Sequence, residues 1–127
     1  MVTSRTAERV NPNPSFGAPH VFILALVNGE EPLRVHRIVQ TNTLVGRDED
    51  ADFMVNDDEI SARHAMIRVD GPVCMLTELG SCNGTLVNGR LVREGVGQRL
   101  RHLDEIQVGG TRILVLQGRI REQPKRV

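Results

Sequence analysis

The chain has 127 residues, 39% of them hydrophobic and 2% aromatic, and its 16 basic residues balance 16 acidic ones at a formal net charge of zero. This composition indicates one domain with an aliphatic core, and it excludes both a globally basic nucleic-acid binder and a platform of base-stacking aromatic residues. No apolar run approaches the roughly 20 residues that cross a bilayer, and no signal peptide precedes the domain, so we expect a cytoplasmic protein without membrane insertion.

Three regions follow one another along the chain. Residues 1–19 are predicted to be a flexible N-terminal tail, because their prolines and asparagines interrupt a stretch without a periodic apolar pattern. Residues 20–117 form the predicted domain, in which short apolar runs alternate with turn residues. Residues 118–127 carry four basic side chains against one acid and are predicted to be a basic C-terminal tail or linker.

The domain is predicted to be all-β. Apolar residues never recur with helical spacing over three turns, and Asn-Gly, Asp-Gly and Gly-Gly pairs mark hairpin turns at residues 28–29, 70–71, 88–89 and 109–110. Short strands between such turns favour a β-sandwich. The predicted strands are 21–27, 33–39, 43–46, 53–55, 64–69, 73–79, 86–87, 91–92, 98–100, 105–108 and 111–116.

Cysteine and histidine do not indicate a metal site or a cofactor. Cys74 and Cys82 are expected to be free thiols in the reducing cytosol. The four histidines lack the spacing of metal ligands, so we predict neither a metal nor a cofactor.

Polar motifs occur in three of the predicted loops and in the closing strands. The motifs are Gly46-Arg47, Ser61 with His64, the segment NGTLVNG at residues 83–89, and Leu100 with Asp104, Ile106 and Gly109. In order and spacing they resemble the forkhead-associated (FHA) domain family over roughly residues 21–117. The resemblance implies an eleven-stranded β-sandwich (FHA/SMAD-like) whose loops bind a phosphothreonine peptide.

The same resemblance assigns roles to single residues. Arg47 is expected to be the main phosphate ligand, Ser61 to donate its hydroxyl and backbone N–H to the phosphate, and Asn83 to hold the peptide main chain. His64 is expected to brace the loops without touching ligand. A guanidinium with neutral donors suits a phosphate of about two negative charges. The alternative for Arg47 is a surface arginine paired with Asp48 or Asp50.

Further positions are expected to support the binding loops or to depart from the family pattern. Gly46, Gly84 and Asn88 are predicted to be structural residues of these loops. Ala62 and Cys82 occupy positions where the family commonly has a polar ligand-contacting residue. Both departures predict weaker phosphopeptide binding. A further hypothesis is that oxidation of Cys82 modulates this binding.

Seven acids lie within twelve positions between Asp48 and Glu59, with no basic residue among them. An acidic rim favours basic residues around the phosphothreonine. Glu59 occupies a position where some family members have an arginine that selects an acidic ligand residue, so the inverted sign predicts a basic preference there. The alternative is that these acids only keep a loop soluble.

These observations predict a non-catalytic phosphothreonine-binding module downstream of a Ser/Thr protein kinase. Its ligand is another phosphorylated protein or its own tail, where Thr6, or less favourably Thr3, is the candidate phospho-acceptor beside Arg5 and Arg9. Two alternatives stay open: a degenerate FHA domain used for phosphate-independent interaction or dimerisation, and the regulatory domain of a larger protein. A hydrolase using Ser61 is disfavoured, because no nucleophile turn surrounds that serine.

Overall fold

The computed structural model describes residues 19–27 and 34–120, and in these residues it contains eleven strands and no helix. The predicted all-β sandwich is therefore confirmed. The strands are β1 (His20–Leu26), β2 (Arg34–Arg37), β3 (Asn42–Gly46), β4 (Phe53–Met54), β5 (Ala65–Asp70), β6 (Val73–Glu78), β7 (Thr85–Val87), β8 (Arg90–Leu91), β9 (Gln98–Leu100), β10 (Glu105–Val108) and β11 (Thr111–Arg119).

Two sheets pack face to face. One contains five strands in the order β9-β6-β5-β3-β4, and the other contains six in the order β2-β1-β11-β10-β7-β8. The paired strands are antiparallel except β3 and β4, which run parallel because residues 47–52 turn the chain back until Phe53 lies beside Val45 and Met54 beside Gly46. Parallel pairing needs such a return connection, and a two-residue hairpin cannot supply it.

The core between the sheets is aliphatic apart from two aromatic rings. Inward-facing positions of β1, β5 and β6 contribute fully buried side chains such as Leu24, Ile67 and Leu76, and each such burial stabilises the fold by about 1.5–3 kcal/mol. Phe53 closes one edge of the core, where the Arg34 guanidinium lies 4.5 Å from its ring centroid. This cation–π contact joins β2 of one sheet to β4 of the other.

The predicted strands match the observed ones, with shifts of at most three residues at their ends. The prediction of a turn centred on Asp70-Gly71 was wrong by one residue, since Asp70 pairs with Val73 and the two turn residues are Gly71 and Pro72. Gly71 has φ +59°, and proline fixes the next φ near −65°, which is the geometry of a type II′ turn.

The last strand is longer than predicted. β11 continues through Gly118 and Arg119, which pair with Val21 and His20 of β1, so the end of this strand lies in what was predicted to be the basic tail. The predicted turn at residues 28–29, the tail residues 1–18 and the last seven residues lie outside the described part of the chain. Among the described residues, no helix has the length and apolarity of a membrane span.

Candidate functional site

Three connections meet at one end of the sandwich: residues 47–52, 55–64 and 79–84, which we call the loop end. The Arg47 N–H donates to the Ser61 carbonyl at 3.0 Å and the Asp48 N–H to the Ala62 carbonyl at 3.3 Å. The Cys82 N–H donates to Ser61 Oγ at 3.0 Å. These hydrogen bonds bring together three segments that are far apart in sequence.

Arg47 begins the first of these loops and its side chain is exposed. Its Nε donates to the Ile60 carbonyl at 3.0 Å, which restrains the plane of the guanidinium, and the two terminal NH₂ groups have no hydrogen-bond partner among the described residues. Among the described residues, no carboxylate forms an ion pair with Arg47, so the alternative pairing with Asp48 or Asp50 is not what the structure shows. An open depression of about 280 Å³ is lined by Arg47, Asp48, Glu49 and Ala62.

His64 joins two loops from inside the protein. Its ring is fully buried, Nδ1 accepts the Ser61 N–H at 3.1 Å, and Nε2 lies 2.9 Å from the Gly84 carbonyl. Because Nδ1 accepts a main-chain proton, the ring proton belongs on Nε2, which donates it to Gly84. His64 Nδ1 therefore faces the Ser61 backbone N–H and not the Ser61 hydroxyl.

Ser61 offers less to a ligand than the sequence led us to expect. Its backbone N–H is engaged by His64, so the expectation that this N–H also reaches a phosphate does not hold in this structure. The reason is that residues 61–64 form a tight turn, in which the His64 ring lies next to the Ser61 N–H. The sequence predicts only that this segment leads into a strand, and not that it turns. Ser61 Oγ accepts the Cys82 N–H, and its own proton remains available for donation to a ligand.

Asn83 is exposed and reaches across to the neighbouring loop. Its Nδ2 donates to the Glu59 carbonyl at 2.9 Å, which leaves one N–H and the carbonyl oxygen of the side chain for a ligand. Ala62, Cys82 and Glu59 are also exposed at the loop end. The Cys82 and Cys74 thiols are both free, as predicted, and burial raises the pKa of the Cys74 thiol to about 12 against a small opposing effect of Arg99.

The predicted structural residues divide between the two ends of the sandwich. Gly46 and Gly84 lie at the loop end, and Gly84 has φ +84°. Asn88, predicted to support the binding loops, lies instead at the opposite end, where it has φ +52° in the turn between β7 and β8. Its side chain donates to Asp104 Oδ1 at 2.9 Å and accepts the Glu105 N–H at 2.9 Å, so it stabilises the start of β10.

Two of the seven acids do not belong to an outward rim. Asp52 Oδ2 accepts the Leu44 N–H at 2.8 Å. Asp57 accepts hydrogen bonds from the Glu59 N–H, the Gly110 N–H and the Thr111 hydroxyl, each at 2.9 Å, and these bonds, the one from Glu59 foremost, lower its pKa against the effect of burial. The five remaining acids, Asp48, Glu49, Asp50, Asp58 and Glu59, are exposed and form what we call the rim, whereas the carboxylate of Asp52, which is exposed as well, is bonded to β3.

Glu78 is the residue of this site that the sequence analysis missed. It is 3% exposed at the end of β6, where its carboxylate accepts hydrogen bonds from Ser81 and Thr85. Burial alone would raise its pKa, but the Thr85 hydroxyl and the Ser81 N–H and hydroxyl outweigh burial and lower the pKa. Glu78 is therefore an anion at neutral pH. The signal was present, since Glu78 continues the inward alternation of Cys74 and Leu76.

No described group of three or more His, Cys, Asp or Glu side chains could hold a metal ion. The donors at the loop end, a guanidinium, a hydroxyl and an amide, are instead those that bind an oxyanion and a peptide main chain.

Comparison with known proteins agrees with this geometry. The family model of the FHA domain matches residues 43–109. FhaA of Mycobacterium tuberculosis, an FHA domain-containing protein, is 38% identical over 82 residues, which are 65% of this chain and 15% of FhaA. The glycogen accumulation regulator GarA of Mycolicibacterium smegmatis is 38% identical over 79 residues, which are 62% of this chain and 48% of GarA. The chain thus spans about half or less of the length of these relatives.

Solved structures give the same result. An FHA domain studied for its phosphothreonine-dependent interactions has a TM-score of 0.68 at 33% identity, covering 83% of this chain and 99% of that one. The FHA domain of FhaA, crystallised in complex with the intracellular domain of Rv3910, has a TM-score of 0.67 at 35% identity, covering 74% of this chain and 98% of that one.

Proposed function

The chain belongs to the FHA domain family, and from that premise we propose that it is a non-catalytic module that binds phosphothreonine peptides in bacterial-type Ser/Thr kinase signalling. The observation that carries the proposal is the exposed Arg47 guanidinium, which has no carboxylate partner among the described residues and lies in the loop that hydrogen-bonds to Ser61. A solved FHA domain at 33% identity engages in phosphothreonine-dependent interactions, which supports the same ligand class.

The donors suffice for a complex of moderate affinity. The terminal NH₂ groups of Arg47 and the Ser61 hydroxyl supply hydrogen bonds to the phosphate, while the remaining Asn83 donor and acceptor serve the peptide main chain. Hydrogen bonds to a charged group contribute about 1.5–3 kcal/mol each. Three or four of them, less the cost of ordering the peptide, give the ~8 kcal/mol of a micromolar complex.

Phosphate dependence is the first test. A fluorescein-labelled peptide pool with a fixed phosphothreonine and randomised flanks is expected to bind more than about 100-fold more tightly than the same pool with threonine, because the phosphate supplies at least about 3 kcal/mol of charge-assisted hydrogen bonding. Fluorescence anisotropy measures both. Equal binding of the two pools would contradict the proposal and favour the degenerate, phosphate-independent interaction domain, for which Ala62 and Cys82 leave room.

We further propose that the rim of five exposed acids selects basic residues around the phosphothreonine. Opposite charges across an interface accelerate binding and suppress acidic partners. The N-terminal tail, which lies outside the described residues, has Arg5 before Thr6 and Arg9 three residues after it. Fifteen residues separate Thr6 from Val21, and at ~3.3 Å each they span about 50 Å when extended, enough to reach the loop end of a domain with a radius of gyration of about 13 Å.

Phosphorylation of Thr6 is therefore expected to produce an internal ligand that competes with external peptide. The chain, treated with a Ser/Thr kinase until mass spectrometry shows one phosphate in the tail, should bind the phosphothreonine pool at least about tenfold more weakly than the untreated chain, because the tethered tail has a millimolar effective concentration. Thr6→Ala treated in the same way should bind like untreated protein, with Thr3→Ala as the matched control. If treated Thr6→Ala binds no better than phosphorylated wild type, phospho-Thr6 is not the competing ligand.

A further inference from the structure

The loop of residues 79–84, which presents Cys82 and Asn83, is bonded to one buried carboxylate at Ser81 within the loop and at Thr85 directly after it. Ser81 donates its N–H to Glu78 Oε1 at 2.6 Å and its hydroxyl to Oε2 at 2.7 Å. On the far side of the loop, the Thr85 hydroxyl donates to Oε2 at 2.6 Å. We propose that Glu78 is a positioning residue for phosphothreonine binding, an inference that rests on the proposed function of the loop end.

The path from Glu78 to the ligand-facing groups is short. Ser81 Oγ, held by Glu78, in turn accepts the Gly84 N–H at 2.9 Å, so residues 82 and 83 project from a closed ring of hydrogen bonds. From these two residues, the Cys82 N–H donates to Ser61 Oγ, and the Asn83 side-chain amide donates to the Glu59 carbonyl. The orientation of the Ser61 hydroxyl proton and of the free Asn83 donor therefore depends on the loop that Glu78 anchors.

His64 extends the same arrangement to the loop of residues 55–64. Its Nε2 lies 3.8 Å from Glu78 Oε2 and donates to the Gly84 carbonyl, so the carboxylate also faces the group that fixes Ser61. Ser81 does not replace the hydroxyl that the family has at the position of Cys82, because its own hydroxyl is committed to Glu78 and Gly84. In this structure Ser81 acts through the loop and not on the ligand.

A carboxylate suits this position because it only accepts hydrogen bonds. It takes three donors at once, whereas a glutamine amide of the same shape offers one oxygen acceptor and presents an NH₂ group to the remaining donors. A buried donor that loses its acceptor is unfavourable, so its side chain or the adjacent backbone shifts until the donor finds another acceptor. Glu78→Gln therefore loosens the loop while leaving the apolar core intact.

The experiment compares affinity with global stability. The variants are Glu78→Gln, the pair Thr85→Val and Thr85→Ser, and Asp104→Asn as control, because Asp104 likewise accepts an Asn88 side-chain bond and the Arg101 N–H but lies at the opposite end. Binding of the phosphothreonine and threonine pools is measured by anisotropy, and stability by urea unfolding. While nearly all molecules stay folded, lost stability by itself does not change the Kd.

Glu78→Gln is expected to weaken binding of the phosphothreonine pool about tenfold, which corresponds to about 1.4 kcal/mol. Thr85→Val should weaken it in the same direction and Thr85→Ser should restore it, since serine keeps the hydroxyl. The double variant of Glu78→Gln with Thr85→Val should lose little more affinity than Glu78→Gln alone. The two changes are not independent, because both act on the same hydrogen bond between Thr85 and Glu78. Asp104→Asn should unfold at lower urea and bind like wild type.

Each outcome decides one question. If wild type does not prefer the phosphothreonine pool, the proposed function fails. If wild type prefers it and Glu78→Gln and Thr85→Val both bind like wild type, the positioning role is overturned while the proposed function stands. The role is equally overturned if Asp104→Asn loses as much affinity as Glu78→Gln, because the loss would then follow general stability. Should Glu78→Gln fail to fold, the Thr85 pair decides alone.

Discussion

Arg47→Ala is expected to weaken binding of a phosphothreonine peptide at least about 100-fold and to leave the weak binding of the unphosphorylated peptide unchanged. The substitution removes the two terminal NH₂ groups, and two charge-assisted hydrogen bonds at about 1.5–3 kcal/mol each exceed the 2.7 kcal/mol that corresponds to 100-fold. The affinity of Arg47→Lys for the phosphothreonine peptide should lie between those of wild type and Arg47→Ala. Lysine keeps the charge, but it lacks the two terminal NH₂ groups and the Nε donor that bonds the Ile60 carbonyl.

The control for the loss of a positive charge is Arg68→Ala. Arg68→Ala and Arg47→Ala change the net charge equally, because each removes one arginine. Arg68 is exposed on β5 and lies outside the three loops, so its loss should not affect the site directly. Anisotropy with the phosphothreonine pool at two salt concentrations should show that Arg68→Ala binds like wild type. If Arg47→Ala is folded and binds the phosphothreonine pool as tightly as wild type, Arg47 is not a phosphate ligand, and the proposed function loses the observation on which it rests.

The strands and their turns could be predicted because their signals are local. Glycine and asparagine tolerate positive φ, so Asn88-Gly89 indicates a two-residue hairpin, which the structure confirms at φ +52° and +82°. What the sequence did not indicate was the end of the sandwich at which that turn lies. Asn88 is predicted to support the binding loops as part of the segment NGTLVNG that also contains Asn83, but β7, although short, carries the chain to the opposite end.

The contacts of the site depend on residues that approach only in the folded chain. Asp57 accepts bonds from Gly110 and Thr111, more than fifty positions away, and no local pattern distinguishes it from its exposed neighbour Asp58. The Ser61 N–H bonds a residue only three positions away, His64, but the turn between them contains neither glycine nor proline to indicate it. By contrast, the partners of Glu78 are three and seven residues away, and strict use of the strand alternation would have found it.

Gly46→Ala is expected to destabilise the fold by about 3 kcal/mol, at the upper end of what overpacking costs, and to weaken phosphothreonine binding together with stability. A Cβ atom at Gly46 would lie 2.0 Å from the Ala62 carbonyl oxygen and 2.8 Å from its carbon, so the main chain of the 55–64 loop has to move. Gly46 is not in the left-handed region, and the requirement for glycine comes entirely from this close approach. Because the neighbouring Arg47 N–H and Asp48 N–H both bond that loop, any shift separates the guanidinium from the Ser61 hydroxyl.

The matched substitution is Gly118→Ala, since Gly118 is also a strand glycine outside the left-handed region and an added Cβ there would meet nothing within 4 Å. It should leave the urea midpoint unchanged or raise it slightly, because alanine restricts the unfolded chain. Urea unfolding gives the stability of both variants, and anisotropy below the unfolding range gives their affinity. A Gly46→Ala protein as stable as Gly118→Ala, with wild-type affinity, would mean that the 55–64 loop yields without cost, so that the contact between the first two loops does not hold Arg47 in place.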